Sequence, residues 1–295
     1  VESVKRHLEY VKEVTGRSVA EDEWDSTAAR AHELDVFLRV TKDFVVLDGR
    51  FLEFHETDLS GTDRSIFGPD GVIERVVCLT RMTETRVQDG FTRYNPTPVS
   101  PMEGFELMWG HLNRAEAWLP AYRAYGEGIL FLFNSAKLAN IDGTSEPEEG
   151  GPKKSLSNRG VFAHSLAHLL MTRLSQDCGY PLPAIRDRMY DLPDGRIAVL
   201  IYTADSDILG TLGGLVEFGE GRKLETLVAD AISAARWCSQ DPVCIGRVFN
   251  AKRHQGSCCH QCLFLPETSC ELMNQYLDRA YITGSRERNI WGLLT

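Results

Sequence analysis

No stretch of this 295-residue chain approaches the roughly 20 consecutive apolar residues that a membrane-spanning helix requires. Its opening, VESVKRHLEY, lacks the apolar centre of a secretory signal. A cytoplasmic protein without membrane association is therefore expected, with its eight cysteines kept reduced. Basic excess is missing as well: 32 Lys and Arg stand against 42 Asp and Glu, for a net charge of −10. A surface that binds nucleic acid as a whole is thereby excluded, because phosphate binding needs concentrated cationic charge. Catalytic signatures are equally scarce. There is no Walker A loop, no GxGxxG fingerprint, no GxSxG elbow, no HxK pair and no Cys–His dyad at a usable spacing. No internal repeat is apparent. With 43% apolar and 25% charged residues, the chain has an ordinary globular composition and can bury a sizeable core.

What is present in concentration is cysteine near the C-terminus, in the order Cys238-x5-Cys244-x14-Cys259-x2-Cys262-x7-Cys270. A Cys-x2-Cys pair lets two thiolates reach one tetrahedral Zn²⁺, and a second pair completes the four ligands of a structural site. Cys259 is preferred to its neighbour Cys258 because only Cys259 makes this spacing with Cys262, which leaves Cys258 as the spare. The expected set is Cys244, Cys259 and Cys262, with either Cys238 or Cys270 as the fourth. Cys238 ends an amphipathic helix with the apolar stripe Leu224, Leu227, Val228, Ala231, Ile232 and Ala235, stopped by Asp241-Pro242. Cys270 is predicted in the first turn of another helix, Cys270 to Ile282, with Thr268 as N-cap and Glu271 closing a capping box. The isolated Cys78 and Cys178 read as small buried hydrophobes. Oxidation at Cys258-Cys259 is a third, redox-sensing possibility.

The periodicity places these residues in a fold of mixed α/β (α+β) class: a mixed sheet flanked by helices, closed by a C-terminal zinc-binding helical element. Residues 1–115 form an N-terminal helical and β-hairpin region and 116–295 an α/β domain. Stripes at Val4, Leu8, Val11 and Val14 and over Ala28 to Val40 predict helices, and Asp48-Gly49 predicts a hairpin turn within Asp43 to Phe54. Leu59 to Gly71 reads as a loop, Val72 to Met82 is ambiguous between helix and strand, and Phe91 to Pro101 is a proline-rich turn region. Ala117 to Tyr125 and Gly128 to Phe133 read as two strands parted by Gly126-Glu127-Gly128, and the run GILFLF suits a strand buried on both faces. After an acidic, Gly-rich loop from Asn140 to Asn158 come a helix over Gly160 to Gln176, strands over Arg186 to Tyr190 and Arg196 to Thr203, a short Gly-rich helix from Gly210 to Phe218, and the helix that delivers Cys238.

Two further groups bear on chemistry. His164-x3-His168 stands on one helix face, a spacing that can hold a metal, yet Ser165 occupies the place of the general-base Glu in HExxH. Histidines hydrogen-bonded in a packed interior or an interface are the preferred reading. Asp205 and Asp207 follow the strand RIAVLIYTA and could hold Mg²⁺. With His164 or His168 they define the alternative function, a metal-dependent nuclease or hydrolase. From Cys238 onward, Arg247, Lys252, Arg253, Arg279, Arg286 and Arg288 face five acids, so a local basic patch is allowed; Arg247, Lys252 and Arg253 are the nucleic-acid-binding candidates.

The motifs HSLAHLLMTRLSQDCGY, IAVLIYTADSDILGTLGGLV, CSQDPVC and CCHQCLFLPETSCELMNQYLDR together resemble the MrfA-like zinc-binding domain, a helicase-associated module. The CSxDPxC and PETSCE elements, with GFTRYNP and WLPAYRAYGEGIL upstream, are similar to the DrmB type found in the bacterial anti-phage system DISARM. The resemblance implies a non-catalytic accessory subunit that partners a DNA helicase or translocase and supports its binding of DNA. It implies Cys238, Cys244, Cys259, Cys262 and Cys270 as the zinc cluster and assigns no catalytic residue. The chain begins at Val1 rather than Met and is shorter than the resemblance implies, so a missing N-terminal part is expected. Helicase motifs are absent, so any motor would be supplied elsewhere.

Overall fold

The computed structural model describes residues 26–39, 53–87, 90–92, 105–107, 121–141, 156–204, 214–249, 255–286, 290, 292 and 294. Its elements are α1 (Ser26–Leu38), β1 (Glu53–Glu56), β2 (Ile73–Val87), β3 (Gly90–Thr92), β4 (Phe105–Leu107), β5 (Ala121–Phe133), α2 (Asn158–Cys178), β6 (Ile185–Asp191), β7 (Ile197–Ala204), α3 (Gly221–Ala235) and the single turn α4 (Ala280–Thr283). Several expectations fall outside the described residues: the stripe from Val4 to Val14, residues 43–52 of the hairpin, most of the proline-rich region and of the acidic loop, Asp205, Asp207, Gly210 to Gly213, Lys252 and Arg253.

The main sheet has the order β1-β2-β5-β7-β6. The mixture of helix and strand is as expected, and every ladder in this sheet is antiparallel. Because side chains alternate along a strand, GILFLF feeds two cores at once. Ile129, Phe131 and Phe133 join the helices α2 and α3 on one face, whereas Leu130 and Leu132 join Leu34 and Phe37 of α1 on the other. Burial on both faces thus arises here without a parallel sheet. The α1 layer is held at its rim by Arg188 to Glu33 and Arg196 to Asp35. β2 pairs with β5 over most of both strands.

Two local readings are corrected and one ambiguity is resolved. The two strands expected on either side of Gly126-Glu127-Gly128 are one, β5. The glycine there serves close approach, since a Cβ on Gly128 would lie 3.0 Å from Ile201 O and Leu200 Cδ1 of the adjacent strand. The ambiguous Val72 to Met82 is strand, part of the long β2. The helix predicted over Cys270 to Ile282 does not form: Met273, Asn274 and Tyr276 have φ of 51°, 58° and 56°. Left-handed backbone cannot propagate a right-handed helix, so only α4 remains. Glu271 is drawn away from any capping role, because its carboxylate accepts from the Met189 amide at 3.1 Å and pairs with Arg30.

α2 forms close to its predicted span. Ser157 caps it by accepting from the Gly160 amide at 3.1 Å, and Gly179, with φ 76°, ends it. α3 carries the predicted stripe, all six residues of it buried, and ends where the cysteine-rich segment begins. These two helices, with the edge strand β6, set the walls of the site.

Candidate metal centre

Four of the five cysteines meet. Cys238 at the end of α3, Cys244 in the turn after Asp241-Pro242, and Cys259 and Cys262 on the returning turn bring their Sγ atoms within 4.8 Å of one another. The neighbouring separations are 3.5 Å for Cys238 to Cys259, 3.7 Å for Cys259 to Cys262 and 3.8 Å for Cys244 to Cys262. A disulfide would require about 2.0 Å. Four sulfurs held at about 2.3 Å around a tetrahedral zinc lie about 3.8 Å apart, so the donor set fits a Cys₄ zinc site.

The surroundings fit it as well. Asp241 ties the first loop together: its Oδ2 accepts from the Cys238 amide and its Oδ1 from the Ile245 amide, both at 3.1 Å. The Gln240 amide donates to Cys238 Sγ at 3.4 Å. The buried Arg279 donates to Ala235 O at 2.8 Å and to Asp241 Oδ1 at 2.5 Å. The Cys244 thiol is drawn down to about 6, first by its hydrogen bond with Cys262 and, against burial, also by Cys259 and the Arg279 charge. Cys262 is pushed up by the same contact with Cys244 and by burial.

Cys258, read as the spare, lies outside this group. Its side chain packs into the main core rather than the cluster, and burial pushes its thiol up to about 12. Arg247 is exposed and donates from Nη1 to Cys258 O at 3.1 Å, which braces the turn.

Of the two candidates for the fourth place, Cys238 joins this group and Cys270 does not. Cys270 stands apart from the Cys₄ group and joins His164, His168 and Asp187 in a second cluster whose donor atoms also lie within 4.8 Å of one another. The chain reversal after Cys270 turns its thiol toward α2. Its Sγ is 3.2 Å from His164 Nε2 and accepts from the Asn274 amide at 3.2 Å. Burial would raise this thiol, but the adjacent His164 and His168 rings prevail and bring it down to about 6. Asp187 comes from β6, between the core-facing Ile185 and Met189. Its Oδ2 is 3.1 Å from His164 Nε2 and 3.3 Å from His168 Nε2. All four residues are buried. The packed interior expected for the two histidines is thus present, and it contains two partners that His-x3-His spacing alone did not reveal. Asp187 had one visible signal, an acid at a core-facing position of the alternating strand IRDRMYD.

No family model matches the chain. Among curated proteins it is similar to the DISARM protein DrmB of Bacillus paralicheniformis, with 34% identity over 227 residues, which cover 70% of this chain and 40% of that protein. The chain is DrmB-like over this stretch and spans well under two thirds of the relative's length.

Proposed function

We propose that this DrmB-like chain is a zinc-stabilised, non-catalytic part of an accessory subunit in DISARM anti-phage defence, and that it partners a DNA helicase or translocase and supports its hold on DNA. The observation that carries this reading is the 34% identity to the DISARM protein DrmB. The Cys₄ group supports its structural half, because four protein thiolates leave no open position for a substrate or water. Zinc there would lock the end of α3 to the returning turn, and the residues that hold it are Cys238, Cys244, Cys259 and Cys262.

A partner-facing role is supported by what flanks the cluster. Trp237, Val243 and Val248 are 73%, 69% and 74% exposed, and large exposed apolar side chains grouped in one segment mark contact surfaces. Arg247 adds a cation beside them, with Lys252 and Arg253 as the further candidates for a DNA contact. No helix of the described residues is long and apolar enough to cross a membrane. The hydrolase alternative gains nothing from the histidines, since His164 and His168 are fully buried and a substrate cannot reach them.

The test is reconstitution. The chain is co-expressed with a helicase encoded alongside it, and complex formation, DNA affinity and ATP turnover are measured with phage plating as the cellular readout. Trp237→Ser is expected to weaken the complex with metal content intact, and Cys262→Ser to weaken both. A chain that leaves the helicase and phage plating unchanged overturns the proposal, as does metal-dependent cleavage of DNA by the purified chain alone.

A further inference from the structure

We propose that His164, His168, Asp187 and Cys270 form a second, closed metal site, for a divalent transition ion with the ligand preferences of zinc. The case begins with the outward-facing ring nitrogens. His164 Nδ1 lies 3.2 Å from Tyr276 O and His168 Nδ1 lies 2.8 Å from Leu263 O. A carbonyl oxygen only accepts, so each Nδ1 carries a proton and each ring turns its Nε2 inward, toward the carboxylate and the thiol. This is the outer-shell arrangement that orients metal-bound histidines. The rings stand 4.5 Å apart and nearly perpendicular, at 82°, one turn apart on α2.

Both inward nitrogens meet electron-rich atoms. Asp187 Oδ1 is already engaged by the Glu271 amide at 2.7 Å, which leaves Oδ2 aimed at the histidines. His168 Nε2 and Asp187 Oδ2 are buried and neither makes a hydrogen bond, although they lie 3.3 Å apart. A proton on His164 Nε2 could point at Asp187 Oδ2 or at Cys270 Sγ, but not at both. Satisfying both acceptors with protons therefore needs both Nε2 atoms protonated, which sets two imidazolium charges side by side in a buried core, with ring centroids 4.5 Å apart.

A metal ion satisfies all four donors together. Tetrahedral zinc with ligands at its usual bond lengths separates N from O by about 3.3 Å and N from S by about 3.6 Å. The observed separations are 3.1 and 3.3 Å for N to O and 3.2 Å for N to S. The charge also closes: one carboxylate, one thiolate and two neutral imidazoles balance a divalent cation, so the filled site is neutral within a buried core. Two imidazoles, a thiolate and a carboxylate suit zinc in softness and number. With four protein ligands the site is structural. It would fasten α2, the edge strand β6 and the Cys-rich segment at one point.

X-ray absorption at the zinc edge on the full wild-type chain tests this without any substitution. Two zinc ions per chain are expected, with a shell of N or O scatterers at about 2.0–2.1 Å beside sulfur at about 2.3 Å. A pure sulfur shell overturns the proposal. His168→Gln is expected to lower the zinc content by one ion per chain and to remove most of the N/O shell, and a folded His168→Gln chain with unchanged zinc also overturns it. Cys244→Ser/Cys262→Ser tests independence: the retained ion should show an N/O-rich shell, and a remaining ion with a sulfur shell counts against the site.

Discussion

Arg279 donates from Nη2 to Asp241 Oδ1 at 2.5 Å and from Nη1 to Ala235 O at 2.8 Å, from a side chain almost wholly out of solvent. One guanidinium thus joins the C-terminal segment to the end of α3 and to the carboxylate that holds the Cys238 loop. Arg279→Met removes the charge while keeping comparable bulk. The Ala235 carbonyl then loses a donor and Asp241 loses its cation. Asp241 retains some solvent, so a cost of about 2–3 kcal/mol is expected, below that of a fully buried pair. Urea unfolding measures it, and chelator competition should show faster release of zinc.

Cys258 and Cys262 are four residues apart and should behave oppositely. Cys258→Ala trims a core side chain and is expected to cost about 1 kcal/mol with zinc content unchanged. Cys262→Ser is expected to remove one zinc ion per chain and to loosen the segment after α3, read by elemental analysis and by proteolysis near Trp237. Equal zinc loss in both variants would refute the assignment of Cys258 as the spare.

Glu127 is a buried carboxylate on β5 that accepts from Tyr180 Oη at 2.8 Å and from the Leu215 amide at 2.9 Å. Glu127→Gln replaces an acceptor with an amide that cannot satisfy every donor here. A loss of about 1–3 kcal/mol is expected. Hydrogen exchange at the Leu215 and Val216 amides should quicken more than exchange in the centre of α2.

Gly256 has no room for a side chain: a Cβ would fall 2.0 Å from Asp278 Oδ2. Asp278 is pinned, with Oδ1 accepting from the Ser257 amide at 3.1 Å and the Ala280 amide at 3.0 Å. Gly256→Ala is therefore expected to destabilise by about 2 kcal/mol or more, as overpacking does. A fall of several degrees in melting temperature checks it, whereas Gly61→Ala, with nothing within 4 Å, carries only the cost of its φ of +90°.

The cysteine cluster was legible because its information is local. Cys-x2-Cys spacing, the stripe leading into Cys238 and the stop at Asp241-Pro242 all act within a few residues. The helix α2 and the strands β6 and β7 were legible for the same reason, since their buried positions repeat at the helical or strand period. The Gly126-Glu127-Gly128 segment misled because glycine signals both a turn and the close approach of a neighbouring strand. The capping pattern at Thr268 to Glu271 misled because the left-handed residues Met273, Asn274 and Tyr276 are stabilised by distant contacts. Asn274, for example, exchanges hydrogen bonds with the Leu265 amide and carbonyl at 3.0 and 2.8 Å.

By itself the sequence determined that a cluster of cysteines near the C-terminus accompanies a fold of mixed helix and strand, because ligand spacing and periodicity are properties of short segments. Only the tertiary structure decided which cysteines belong together. Cys270 lies eight residues beyond Cys262, yet the reversal of the chain between them sends its thiol to the far side, against a helix more than a hundred residues earlier. That choice is made by the packing of α2 on β6 and on the C-terminal segment, where burial brings His164, His168 and Asp187 to one point.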